Sequence, residues 1–238
     1  MPLNQVDDLQ DLLVRVGLEV LADHGFALAG GHALQAHNLV DRLSEDVDMF
    51  TSSHDPTVFV LALNTVVDAD RNEGLRVDIV RQAEAFARLE VIDETSGMAG
   101  SVDLAADYRM EPPVVMDFGP VLAESDAVAA KVAAVFSRGY ARDYIDLAGI
   151  LGSGRFSQKD LLDLGVSADG GFTRARFVEA LTAIERFGDD EFTRYGIDPE
   201  DVKIVRTTIY KWSQELSDLN PRVTSGNSKF SDLMIVGS

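Results

Sequence analysis

Asp46 and Asp48 stand two residues apart in the segment DVDMF (46–50), where polar and apolar residues alternate. Alternation of period two marks a strand with one buried face. Successive strand side chains point to opposite faces, so both carboxylates leave the same face. Two ionised carboxylates at that spacing repel. The repulsion is relieved by a raised pKa on one of them or by a bound divalent cation, and a hard cation such as Mg²⁺ or Mn²⁺ prefers carboxylate oxygen. For the motif taken alone, a solvated polar face on a half-buried strand is the competing explanation. Ahead of it, Gly30-Gly31 separates a candidate strand, FALA (26–29), from a helix expected to run to about Leu39. Residues without Cβ let backbone N–H groups approach an anion, and a helix N-terminus adds partial positive charge. A tight strand-to-helix turn would use the same glycines. A phosphate cradle followed by a metal-binding pair is what transfer from a nucleoside triphosphate (NTP) requires.

Further along, Lys131 stands three residues after Val128 and four before Val135, on the apolar stripe of a helix expected over 126–137. A lysine there either snorkels to solvent or meets an anion, such as the phosphates of a leaving pyrophosphate. In the following helix (140–151), Asp143 and Asp146 share a face, and Arg142 is spaced to pair with Asp146 at i, i+4. Arg138, Arg142, Arg155 and Lys159 make this stretch locally basic in an acidic chain, which would suit the guiding of an RNA end. His24, His32, His37 and His54 form no metal-ligand spacing, and only His32 lies near the diglycine. No G-x-S-x-G nucleophile motif is present.

The elements that must position these groups follow from pattern. Leu9, Leu13, Val16 and Val20 give an amphipathic helix over 6–24, with Gly25 at its stop. After Asp55-Pro56 comes a helix to about Asp70, then strands at LRVDIV, FARLEVID and GSVDLAAD. The expected class is therefore α+β: a small mixed β-sheet domain over 1–120 and a mainly helical domain over 121–238 that completes the cleft. Helices are expected over 126–137, 140–151, 173–187 and 201–216, and the tail NPRVTSGNSKFSDLMIVGS reads as a loosely attached end. The 238 residues hold 40 Asp and Glu against 21 Lys and Arg, a net charge of −19, which argues against nonspecific coating of nucleic acid. There is no cysteine, which removes disulfides, thiolate metal sites and cysteine nucleophiles. No membrane-length apolar run and no secretory signal pattern occur, so a cytoplasmic protein without a membrane partner is expected.

Gly30-Gly31, a spacer, and then Arg42, Ser44, Asp46 and Asp48 in R-x-S-x-D-x-D order resemble the minimal nucleotidyltransferases of the AbiEii/AbiGii toxin group. That group includes the mycobacterial MenT toxins and belongs to the DNA polymerase β-like superfamily. A second segment, KVAAVFSRGYARDYIDLAGIL, resembles the family's lysine helix and R-D-x-x-D-L segment, with Lys131, Arg142, Asp143 and Asp146 in register. The resemblance implies a polymerase β-like core and a third carboxylate on a neighbouring strand. Asp103 in SVDLAAD is preferred for it, with Asp78 in LRVDIV the rival. Asp46, Asp48 and Asp103 would then hold Mg²⁺ or Mn²⁺. Gly30, Gly31, Arg42, Ser44, Lys131, Arg142 and Asp143 would contact the nucleotide, and Asp146 would close the site. In some relatives a serine at the position of Ser44 is phosphorylated by an antitoxin kinase. The implied activity moves an NMP from NTP to an acceptor hydroxyl, with the 3′ end of tRNA as the leading acceptor and a cognate antitoxin as partner. A noncatalytic nucleotide-binding module, or transfer to a protein side chain, are the alternatives. Asp48→Ala and Lys131→Ala are each expected to abolish transfer and leave the fold intact.

Overall fold

The computed structural model describes residues 3–218; the tail segment 220–238 lies outside the described residues. The chain opens with α1 (Leu3–Leu21), whose 3₁₀ extension ends at Gly25, a residue in the left-handed region at φ 76°. A left-handed glycine is a natural helix stop because no Cβ opposes that conformation. Next come β1 (Phe26–Leu28), α2 (Gly30–Ala36), β2 (Asp46–Thr51) and α3 (Pro56–Asn72). Asp55 caps α3 by accepting from the Thr57 N–H, and Pro56 occupies the first helical position, where its missing N–H costs nothing.

Three longer strands follow, β3 (Arg76–Ala83), β4 (Phe86–Asp93) and β5 (Met98–Ala106), then two short ones, β6 (Val114–Met116) and β7 (Gly119–Val121). The helical half comprises α4 (Glu124–Ser137), α5 (Ala141–Gly152), α6 (Gln158–Ala168), α7 (Arg174–Thr182), α8 (Asp190–Thr193) and α9 (Pro199–Asp218). The sheet is mixed and seven-stranded in the order β3-β4-β5-β2-β1-β7-β6, with β2–β5 and β1–β7 parallel. It is an α+β fold.

Four elements exceed the sequence expectation. β6 and β7 have three residues each, too few to display alternation, yet β7 pairs with β1 and extends the sheet. α6 is hidden by Gly165 in its interior; the glycine is packed against Phe172 and Val132, where a Cβ would meet atoms at 2.6 to 2.9 Å. α8 is a single turn. The helix expected near 173–187 is α7 continued by a 3₁₀ turn.

One hydrophobic cluster runs from Leu13 and Phe26 through Val47, Leu89 and Leu104 into Val128, Tyr144, Phe177 and Trp212, so sheet and helices share a continuous core. Trp212 is fully buried and meets Phe177 edge-on at 5.2 Å, a geometry favoured by the ring quadrupoles. Burying side chains of this size stabilises by roughly 1.5–3 kcal/mol each, which fixes α9 against α7 and α5.

Candidate active site

The parallel register of β2 and β5 decides which carboxylates meet. Asp48 is the direct partner of Asp103, and Asp46 that of Ser101. Asp46, Asp48 and Asp103 therefore share one sheet face on adjoining strands, where like charges directly opposite each other are destabilising unless something compensates. Asp78 lies on β3, three strands from β2 in the sheet order, exposed and 3.3 Å from Arg76.

Arginines supply part of the compensation. Arg88, the β4 neighbour of Asp103, donates two hydrogen bonds of 2.7 Å to its carboxylate and stands 3.5 Å from Asp46. Arg142 reaches Asp46 at 3.3 Å, and the Ser101 hydroxyl donates to Asp46 as well. Among the described residues, Asp48 takes part in no hydrogen bond or ion pair of this kind. Burial of its carboxyl, then the charge of Asp103, pushes its pKa up to about 6 against the pull of Lys131.

Gly30 shows how closely the backbone crosses this carboxylate. Its φ is 58°, and a Cβ there would lie 1.8 Å from the Asp48 Oδ2. No other residue type fits while Asp48 keeps its place. At Gly31 a Cβ would approach the Arg42 guanidinium at 2.9 Å and the Ser44 hydroxyl at 3.0 Å. The Ser44 hydroxyl donates to the Asp46 carbonyl, which ties the turn to the start of β2.

The second group of expected site residues is turned inward. Arg42, just before β2, donates to both oxygens of Asp146 at 2.6 and 2.7 Å, and both side chains are buried. Lys131 is held by Asp146 at 2.8 Å and Asp143 at 2.9 Å. Asp143 also accepts from Arg138 and from the Tyr140 N–H at the head of α5. Burial opposes the charges on Arg42 and Lys131, but their aspartates outweigh it and hold both above their ordinary range. Burial likewise acts to raise Asp143, yet Lys131 and Arg138 prevail and hold it down at about 2.

The ion pair expected between Arg142 and Asp146 does not form: Asp146 is taken by Arg42 from a distant loop, and Arg142 points to Asp46 instead. Of the basic stretch, Arg138 and Arg142 line the cleft. Arg155 pairs with Glu124 and Lys159 with Asp163. His32 is pushed down to about 4 by burial and then by Arg42, so its ring is neutral.

These groups surround a cleft of about 390 Å³, lined by Gly30, Gly31, the three aspartates and Lys131, among others. From the helical side α4 contributes Ala127, Ala130 and Ala134, small residues at helical spacing that leave the space open. Two contributors were not foreseen. Arg88 shares the polar face of β4 with Glu90, but which strand it would meet depends on sheet order. Asp126, buried at the head of α4, accepts from the Met110 and Glu111 N–H groups and ties down the loop after β5. Its place in the first turn of a helix was the available signal.

Among the described residues, no three carboxylates or imidazoles surround a common point closely enough to hold a metal ion as arranged. Arg88 and Arg142 draw Asp103 and Asp46 toward themselves. The donor chemistry nonetheless suits a hard divalent cation: three carboxylates from adjoining strands, with Asp48 paired to no cation among the described residues.

Comparison with known proteins decides the wider identity. The family described as nucleotidyl transferase AbiEii toxin, type IV toxin–antitoxin system, matches residues 11–219. The chain belongs to the AbiEii family. It is thus a nucleotidyltransferase, the toxin of a toxin–antitoxin pair, with NTP as substrate and an antitoxin as counterpart. No curated protein matches the sequence. Among solved structures, MenT4, a nucleotidyltransferase toxin from Mycobacterium tuberculosis H37Rv, is similar in fold with a TM-score of 0.54 at 20% identity, covering 90% of this chain and 84% of that one. JHP933 from Helicobacter pylori is similar with a TM-score of 0.55 at 18% identity, covering 89% of this chain and 93% of that one. In this AbiEii protein the diglycine turn and the paired strands β2 and β5 border one cleft. No described helix is long and apolar enough to cross a membrane.

Proposed function

We propose that this AbiEii protein transfers an NMP from an NTP to the 3′ hydroxyl of an RNA, with the acceptor end of tRNA as substrate, and that the reaction depends on Mg²⁺ or Mn²⁺. Asp46, Asp48 and Asp103 would hold the cation. When bound, it would supply Lewis-acid neutralisation of phosphate charge. The acceptor oxygen forms a bond to the α-phosphorus, the bond from that phosphorus to the bridging oxygen breaks, and pyrophosphate departs. One carboxylate of the Asp48–Asp103 pair takes the hydroxyl proton. Gly30, Gly31 and Ser44 border the phosphates. Lys131 and Arg142 answer the charge that gathers on the leaving group. Arg42, Asp143 and Asp146 act through Lys131, fixing its ammonium at the cleft wall.

The observation that carries this reading is the in-register Asp48–Asp103 pair beside a backbone glycine that leaves no room for a Cβ. Incubation with α-labelled NTPs, a divalent cation and total cell lysate tests it. Label is expected on the 3′ end of tRNA. Label confined to protein, or pyrophosphate release unaffected by removal of divalent cations, would overturn the acceptor or the metal assignment respectively.

A further inference from the structure

Beside the carboxylate row, the same sheet face carries an aromatic one. Asp48, Asp103 and Arg88 are successive cross-strand partners on β2, β5 and β4. Two residues further on, Phe50, Ala105 and Phe86 are partners in the same order. Strand geometry puts these two rows about 7 Å apart. Phe50 and Phe86 are only partly buried and border the cleft with Ala105 between them, a small residue flanked by two rings. Just past β5, Tyr108 is 72% exposed and Met110 37%, and both also border the cleft.

The loop carrying them is fixed. The Asp107 N–H donates to the Thr51 carbonyl, Arg109 to the carbonyls of Gly25 and Phe50, and the Met110 N–H to Asp126. Tyr108 is thus held out to solvent on an anchored backbone. Phe86 carries the Arg81 guanidinium 5.1 Å from its ring centroid and Phe50 packs on the core, so each offers the cleft a partial apolar face, and Tyr108 the most exposed one. Apolar faces of this kind beside a charged cleft call for a ligand with a flat apolar face.

The polarity of the cleft selects which ligand. Arg142 and Ser44 contact Asp46, Gly31 lies against Ser44, and Lys131 and Arg138 both hold Asp143, one residue from Arg142. This basic end is where a departing pyrophosphate would be neutralised. Displacement at phosphorus is in line, so the entering oxygen lies opposite the leaving one. From the Asp46 end through Asp48, that direction points to the Phe50–Ala105–Phe86 row.

We infer that this row, with Tyr108, is the stacking floor for the terminal nucleoside of a single-stranded RNA acceptor. This rests on the nucleotidyltransfer reading above and adds to it the acceptor's place. Rings that stack on any base give affinity with little sequence preference, so discrimination among RNA ends must arise elsewhere.

The test uses the full-length protein and two probes: a short 5′-fluorescein oligoribonucleotide with a free 3′ hydroxyl, read by anisotropy without NTP, and a fluorescent non-hydrolysable NTP. Phe86→Ala and, separately, Tyr108→Ala should each weaken oligoribonucleotide binding by about tenfold. NTP-analogue affinity should stay within about twofold. Phe86→Trp should restore RNA binding, and because Tyr108 is exposed, its variant separates stacking from folding. If the wild type binds the NTP analogue while RNA binding is absent or indifferent to both alanine variants, the inference falls and the nucleotidyltransfer reading stands. If the wild type does not bind the NTP analogue, both fall.

Discussion

Two charged clusters face each other across the cleft, and they resolve the same problem in opposite ways. On the helical side, Arg42, Lys131, Asp143 and Asp146 are buried together, and each charge has an opposite partner within 3 Å. On the sheet side, the aspartates are half-buried, two lean on arginines, and Asp48 has no such partner among the described residues. The helical cluster is saturated, so most of its charge is spent on holding α4 and α5 to the loop before β2, and on fixing Lys131 where it borders the cleft. The sheet cluster carries uncompensated charge, which is the condition for binding a cation and acting on a substrate. Nearness to a cleft therefore does not by itself tell how much a group contributes to the fold; the count of partners says what its removal would cost in stability.

The largest effects should divide along that line. Asp48→Ala removes a group with no partner to abandon, so the fold should keep its stability while transfer falls by a factor on the order of a thousand or more. Thermal unfolding and labelled-nucleotide transfer on one preparation measure both. A variant that loses stability in step with activity would place Asp48 among the structural groups.

Asp146→Ala should act first on stability. It strands the buried Arg42 guanidinium and deprives Lys131 of one of its two anions, and breaking a buried pair costs about 3–5 kcal/mol. Denaturant unfolding should show that loss with no substrate present. Lys131→Ala belongs between the two. Because Lys131 holds two fully buried carboxylates, the expectation of an intact fold no longer applies, and both stability and transfer should fall.

The contrast also explains what could be seen in the sequence. β2 was legible because alternation, a following turn and an Asp-Pro cap signal all agree locally, and the expected strand DVDMF matches β2 to within a residue. Local agreement of this kind is what makes an element readable. The partners of each charge were not legible, because register and sheet order set them. Spacing could nominate Arg142 for Asp146 since both lie on α5, but it could not see Arg42, 104 residues away, arriving with two hydrogen bonds. Arg88 escaped notice for the same reason: alternation tells which face of β4 it takes, not that β5 and Asp103 lie alongside.

A buried carboxylate outside both clusters sharpens the partner rule through pH. Asp70 on α3 is buried with neither oxygen hydrogen-bonded among the described residues. Burial, then Glu73, pushes its pKa from 3.8 up to about 7. Between those values the unfolded chain has released a proton that the folded chain retains, so this group makes stability fall as pH rises, by up to about 1.4 kcal/mol per unit. Asp143 has the opposite sign. Held down at about 2, it contributes stability above the ordinary carboxylate range that disappears only as pH drops toward 2. Asp70→Asn should abolish the decline between pH 6 and 7 in denaturant titrations, lessen it below pH 6 where Asp48, raised to about 6, titrates with the same sign, and leave the acid limb unchanged. A slope between pH 6 and 7 that persists in the variant would assign the titration to another group.

The smallest effect probes whether the sheet cluster is open to a cation at all. Arg88 is about 38% exposed and sits on Asp103 and near Asp46 with a charge of the sign a cation would bring. A partly exposed pair of this kind is worth about 1 kcal/mol at most. Arg88→Gln should therefore let Mn²⁺ raise the melting temperature at a concentration about fivefold lower than for the wild type, a change small enough to need a full titration. A guanidinium that merely occupies the carboxylates gives that result. If the variant instead needs more Mn²⁺, Arg88 is a positioning residue that aims Asp103 at the ion. The arginines would then belong to the working cluster in their own right, and partner counting would have to include the cations that organise an anion as well as those that neutralise it.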